Sequence, residues 1–240
     1  MLSLRVLGRD GGYPGPGGSC SGYLLSDGPT TIWVEAGPGS LANLQLYSDP
    51  GAVDAIVISH EHPDHCSDLD GYAVLARYGL GRSNVAVYAP FGVRERCYHR
   101  ENGALSWTEV DDGDRIEVFD MVVSFSRTDH KPKTLAIRID AGGRSLGYSA
   151  DTGPAWSLEA LGEGLDMALC EATFTARYER DGIGHMSARQ AGEMARSAGI
   201  GRLVLTHIWP TLSVEDIQAQ ANEAYGSQVE IAEQGAIFWV

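Results

Sequence analysis

The string Ser59-His60-Glu61-His62-Pro63-Asp64-His65 constrains this chain more than any other. It directly follows a buried-strand pattern, Ala55–Ser59. Loops at strand ends are where a rigid scaffold presents functional side chains. Three imidazoles and a carboxylate packed so closely suit Zn2+, with Mn2+ and Fe2+ as competitors. The alternative is an unrelated surface cluster, which is rare after a hydrophobic strand. Pro63 stiffens the turn, because its ring disfavours continuing a helix. Four ligands from one loop do not all reach one ion. The string therefore implies two adjacent sites and asks for further ligands elsewhere.

Three candidates stand at the ends of later apolar runs. His130 ends 121–129, Asp151 ends Ser145–Ala150 in YSADTGP, and His207 ends Leu203–Thr206 in LTHI. Each alone reads as an ordinary satisfied polar residue, whereas three in the same kind of position fit one site. Strand-like runs also occupy 2–7, 22–25, 31–36, 52–59, 84–89, 115–127, 134–140, 144–150, 165–172, 202–208, 228–233 and 236–240. They are rich in Val, Ile and Leu and bounded by Gly or Asp, as buried strands are. The segment 11–18, GGYPGPGG, reads as a loop between the first two strands, either a plain turn or a site edge.

Helical patterns interleave with the strands. One covers 188–198, opened by Ser187 with Gln190 as a capping box and stopped at Gly199. A second covers 214–225, opened by Ser213 and stopped at Gly226, with Glu215 and Asp216 favouring its first turn. Weaker patterns fit 67–79, 91–101 and 156–162. Strands clustered in both halves with helices between them predict an α/β sandwich, two sheets face to face with helices outside; a doubly wound single sheet is the alternative.

Composition bounds the function. Of 240 residues, 18 are basic and 32 acidic, a net charge of −14. Nucleic-acid binders usually carry a basic footprint, so a dedicated polyanion binder is disfavoured. Cys20, Cys66, Cys97 and Cys170 form no C-x-x-C pair, and scattered single cysteines fit a cytoplasmic protein. No apolar stretch approaches ~20 residues, so no membrane span is expected. No linker marks a boundary, and 1–240 is expected to be one domain.

With H-x-H-x-D-H followed in order by His130, Asp151 and His207, the sequence resembles the metallo-β-lactamase superfamily. YSADTGP, CEATF (170–174) and GHMSA (184–188) bring it nearest to the branch of ribonuclease Z and small cyclic-nucleotide phosphodiesterases. The resemblance implies a four-layer αββα sandwich and two divalent metal ions. His60, His62 and His130 would bind one ion, Asp64, His65 and His207 the other, and Asp151 would bridge them. A hydroxide between the ions would attack a phosphodiester, with Asp64 orienting it. His185 would protonate the leaving oxygen, oriented by Glu171; otherwise His185 merely precedes a helix.

Other residues carry less. Cys66 reads as a small buried filler, and His99, between Arg96 and Arg100, as part of a solvated helix face. Trp209-Pro210 walls the pocket or belongs to the core. Lys131 and Lys133 stand where a phosphate could be met, although exposed lysines are common. The leading expectation is hydrolysis of a small phosphodiester such as a cyclic nucleotide. A tRNA 3′-processing ribonuclease Z is the first rival, but no Gly/Pro-rich arm lies between Asp151 and His207. A lactonase or other esterase, and a non-catalytic metal-binding sensor, complete the alternatives. The resemblance also makes a homodimer possible.

Overall fold

Alternating apolar residues along short strands create two sheet faces that must be covered, and the protein covers both. A computed structural model describes residues 1–240. The first sheet contains β1 (Ser3–Gly8), β2 (Gly22–Ser26), β3 (Thr31–Val34), β4 (Ala55–Val57), β5 (Val85–Ala89) and β6 (Leu105–Glu109). The second contains β7 (Arg115–Val118), β8 (Met121–Arg127), β9 (Leu135–Ala141), β10 (Arg144–Tyr148), β11 (Met167–Glu171), β12 (Leu203–Thr206) and β13 (Glu230–Ile231). The last strand, β14 (Ile237–Trp239), returns to the first sheet beside β1, giving the orders β14-β1-β2-β3-β4-β5-β6 and β13-β12-β11-β10-β9-β8-β7. In each sheet, antiparallel pairs give way to parallel ones, at β3–β4 and at β10–β11.

The inner faces meet in a core of 26 buried residues drawn from both sheets, including Leu4, Tyr23, Val57, Phe125, Ile137 and Leu169. Outside the first sheet, α1 (Ser40–Tyr47) and α3 (Asp68–Val74) cover Trp33, Ile56 and Val87. Outside the second, α5 (Ala188–Ser197) and α6 (Val214–Tyr225) cover Ala168, Cys170 and Leu205. Two short helices, α2 (Pro63–Cys66) and α4 (Val93–Arg96), complete the set. The four layers are those of the metallo-β-lactamase sandwich, not a doubly wound sheet.

Strongly signalled elements stand where the sequence puts them. Ser187 accepts from the Gln190 amide while Gln190 returns the bond, and α6 runs from its Ser213 cap to Gly226, whose φ of 81° suits glycine. The 67–79 pattern becomes α3 followed by one π-turn, closed by the Leu80 amide on the Leu75 carbonyl at 2.9 Å.

Four expectations need correction. The run 115–127 is two strands, because the backbone turns at Phe119 (φ 51°). The 91–101 helix is only Val93–Arg96. Asp70 accepts from the His99 amide at 2.8 Å and from its Nδ1 at 3.1 Å, pulling the chain into turns. His99 is therefore in a turn beside Asp70, not on a helix face. The 156–162 helix is a single 3₁₀ turn, Leu158–Leu161, between the Ser157 cap and Gly162 (φ 84°).

Candidate metal centre

Most candidate side chains stand at or just after the C-terminal end of a strand, the usual place for ligands in such sheets, whereas His185 stands just before α5. Glu35 follows β3, His60 follows β4, and His130 follows β8. Asp151 follows β10, Glu171 ends β11, and His207 follows β12. The loop 60–65 divides its own ligands. His60 and His62 precede Pro63, which occupies the first position of α2 where its missing N–H costs nothing. Asp64 and His65 lie within the helical turn.

Two groups of donors result. Ligand atoms of His60, His62, His130 and Asp151 lie within 4.8 Å of one another, as do those of Asp64, His65 and His207. Asp151 stands between the groups, and its two oxygens divide. Oδ2 is 3.5 Å from His60 Nε2 and 3.9 Å from His130 Nε2. Oδ1 is 3.3 Å from His65 Nε2 and 3.4 Å from His207 Nε2. Asp64 Oδ2 lies 3.4 Å from His65 Nε2 and 3.2 Å from His207 Nε2.

The far nitrogens of three of these rings are already hydrogen-bonded. His130 Nδ1 donates to the Gly184 carbonyl at 2.7 Å, which leaves Nε2 as an acceptor. Thr173 donates its hydroxyl proton to Glu171 Oε2 at 2.5 Å, so its oxygen accepts from His207 Nδ1 at 2.9 Å. His60 Nδ1 meets the Ser59 hydroxyl at 2.9 Å, and His65 Nδ1 faces Glu35 Oε1 at 3.4 Å. Such outer partners fix tautomer and orientation around a metal ligand.

Buried polar atoms are normally paired. Here His60 Nε2, His65 Nε2 and Asp151 Oδ1 are buried without a hydrogen-bond partner, and all face the same small space. Divalent cations are the group that this donor set fits.

Charge supports the same reading. Burial, reinforced by neighbouring imidazoles, pushes His60 well below the usual histidine range, and burial pushes His130 down. Both are thus in the neutral form that binds metals. Burial opposes ionisation of Asp64 and Asp151, but the surrounding histidines outweigh it and hold both carboxyls well below their usual range. At His65, burial is overcome by Asp151, Asp64 and Glu35, which favour a proton that any bound cation must displace.

Beside the two groups, His185 Nδ1 lies 3.2 Å from Glu171 Oε1 and 4.0 Å from Asp151 Oδ2. Glu171 is fully buried and fixed by the amides of Thr152 (2.6 Å) and Met186 (3.1 Å), neighbours of Asp151 and His185. Burial disfavours charge on His185, yet Glu171 prevails and pushes its pKa up to about 9. The structure thus brings together all nine residues singled out from the sequence.

It also adds residues that sequence reasoning missed. Glu35 supports His65 and accepts from the Ser59 amide at 3.3 Å. Thr173 joins His207 to Glu171. The glycine-rich loop proves to be a site edge, since the Gly12 amide donates to Asp64 Oδ2 at 2.8 Å. A Cβ on Gly37 would sit 2.0 Å from the Asp64 carbonyl oxygen, so only glycine fits there. Three of the five non-glycine residues with positive φ, Glu35, Ala150 and His207, lie at or next to the site. Such backbone costs about 1–3 kcal/mol each and clusters where function demands it. Cys66 is buried, and Trp209 packs against Phe174 and Tyr178.

Comparison with known proteins agrees with this geometry. Residues 30–208 match the family model of the β-lactamase superfamily domain. A Mycobacterium tuberculosis protein, Rv1339, is 34% identical over 247 residues, covering 95% of this chain and 88% of its own. YhfI of Bacillus subtilis, described as a probable metallo-hydrolase, is 27% identical over 246 residues and covers 99% of both chains. Its crystal structure superposes with a TM-score of 0.90 at 25% identity, covering 99% of this chain and 98% of that one. A ribonuclease Z of Salinispora arenicola is 28% identical over 294 residues, covering 96% of this chain and 94% of its own. The protein belongs to the β-lactamase superfamily and is one of its metallo-hydrolases.

Proposed function

We propose that this protein is a dinuclear metal-dependent phosphodiesterase acting on a small substrate such as a cyclic nucleotide. His60, His62 and His130 would hold one divalent cation and Asp64, His65 and His207 the second, with an Asp151 oxygen offered to each. The donor set favours Zn2+, with Mn2+ or Fe2+ as alternatives. The observation that carries this reading is the division of Asp151, one oxygen toward each group. Paired cations supply a nucleophile at neutral pH and offset charge on phosphate oxygens during in-line displacement.

The chain's own residues do the rest. Asp64, ionised and anchored by the Gly12 amide, accepts a hydrogen bond from the attacking water and holds its orientation. His185, protonated and oriented by Glu171, gives its proton to the leaving oxygen. The net charge of −14 favours a small substrate over tRNA. The four cysteines are buried and free, which suits a cytoplasmic location, and no helix is long and apolar enough to cross a membrane.

The test is hydrolysis of 3′,5′-cyclic AMP by metal-loaded protein, with a chelated sample and Asp64→Ala as controls. Turnover lost in both controls is the expected result. A sample holding two metals per chain that leaves cyclic AMP intact refutes the cyclic-nucleotide reading. The resemblance to ribonuclease Z makes cleavage of precursor tRNA the competing activity to assay.

A further inference from the structure

The metal centre uses His130 but neither of the two lysines just beyond it. Lys131 and Lys133 are the only lysines in the chain, and they flank Pro132 immediately after His130. Lys133 is paired with Asp111, whereas Lys131 is exposed and forms no ion pair. The backbone beneath Lys131 is fixed by Arg127. Its guanidinium donates to the carbonyls of His130 (2.9 Å), Pro132 (3.4 Å) and Thr134 (3.3 Å).

Lys131 lines a cleft of about 800 Å3, within the range of ligand pockets. The cleft starts at the metal centre, with His130 and its partner Gly184 in its wall. No other candidate ligand and not His185 lines it, so it is a side lobe of the centre. Arg180 also lines it, likewise exposed and without an ion pair. Three carboxylates share the lining, and one of them, Glu179, is paired with a cation outside it. Glu179 is bound by Arg189 (2.5 and 3.1 Å) and by the Ser187 hydroxyl. Asp129 accepts from the Ala155 amide at 3.2 Å and packs over Gly153. Among lining charges without an opposite partner, Arg127, Lys131 and Arg180 stand against Asp129 and Asp181, three cations to two anions, in a chain with a net charge of −14.

We propose that this lobe is a subsite for a second phosphoryl group of the substrate, distinct from the phosphate being cleaved and held by Lys131 and Arg180. The inference rests on the phosphodiester reading of the adjoining centre. It narrows the substrate to phosphodiesters that carry a further phosphate, as a dinucleotide or a nucleotide with a terminal phosphate does. A cyclic mononucleotide fills the centre but leaves the lobe without a partner.

The test is calorimetric binding of thymidine 3′,5′-bisphosphate and thymidine 5′-monophosphate to the metal-loaded protein and to Lys131→Ala, Arg180→Ala and Lys131→Arg. Charge-assisted bonds of this kind predict that the wild type prefers the bisphosphate by about tenfold or more. Each alanine variant should bring the two affinities within about threefold, and Lys131→Arg should keep the preference. Equal affinities in the wild type, or a preference unchanged in both alanine variants, overturns the subsite. No diester bond is present in either probe. Absence of cyclic AMP hydrolysis with a retained bisphosphate preference would therefore refute the cyclic-nucleotide reading and not the lobe.

Discussion

At His185, burial disfavours the charged ring while the carboxylate of Glu171, 3.2 Å away, favours it, and the carboxylate prevails. A ring held protonated at neutral pH beside the metal centre is equipped to donate a proton, not to bind a cation. His185→Ala is accordingly expected to lower kcat by about 100-fold or more while two metals per chain remain by elemental analysis. Loss of metal in that variant would make His185 a ligand or a structural prop instead. The metal-ligand candidates were legible because they follow apolar runs, and a strand end is a position that sequence reveals; His185, in GHMSA, was legible only through the family resemblance. Glu35 carries the same signal after TIWV, but a single acid there has no spacing partner to single it out. Thr173 and Gly12 act by reaching across the fold to His207 and Asp64, and no local pattern encodes that reach.

Among the elements, those with chemical punctuation were readable. The caps of α5 and α6 state where each helix starts, and both start there. The helix α1 escaped because Leu41, Leu44 and Leu46 do not line one face; Leu44 is buried and Leu46 is 69% exposed. Edge strand β6, LSWTE, is too polar to read as buried. Contacts between elements are less legible still. Arg138 on β9 holds the 3₁₀ turn through the Leu161 and Glu163 carbonyls (3.0 and 2.8 Å) and pairs with Asp140 at 2.9 Å. Burial raises the Asp140 pKa, but Arg138 and Ser145 outweigh it and hold the carboxyl below its usual range. A folded pKa below the unfolded one stabilises above the unfolded value of ~3.9 and is lost as pH falls through the folded value. Asp140→Asn should therefore cost about 0.5–1 kcal/mol at pH 7, discounted for its partial exposure. By urea unfolding, the gap from wild type should close as the pH is lowered below ~3.9. A gap that persists at pH 2 would mean the loss is steric.

At the scale of the whole molecule, the two halves of the sequence are joined twice. Their inner sheet faces share one core, and β14 carries the C-terminal end back to β1. The metal centre is a third joint, with Glu35 through His65 from one half and His130 through His207 from the other. We infer one folding unit over 1–240, whose stability includes the free energy of cation binding. Ligand bound only by the native state adds about 4 kcal/mol when its concentration is 1,000 times Kd. For a chain of this size each kcal/mol moves Tm by about 2–4 °C. Two such sites add about 8 kcal/mol, so removing both metals should lower Tm by about 16–32 °C. The transition should stay single, because emptying the centre takes away one joint and leaves the shared core. Scanning calorimetry of loaded and chelated protein checks both points. Two separated transitions after chelation would show that the halves are independent units held together by metal. An unchanged Tm in protein shown to have lost its metals would mean that the His and Asp groups are equally stable without cations, against the unpartnered atoms of His60, His65 and Asp151.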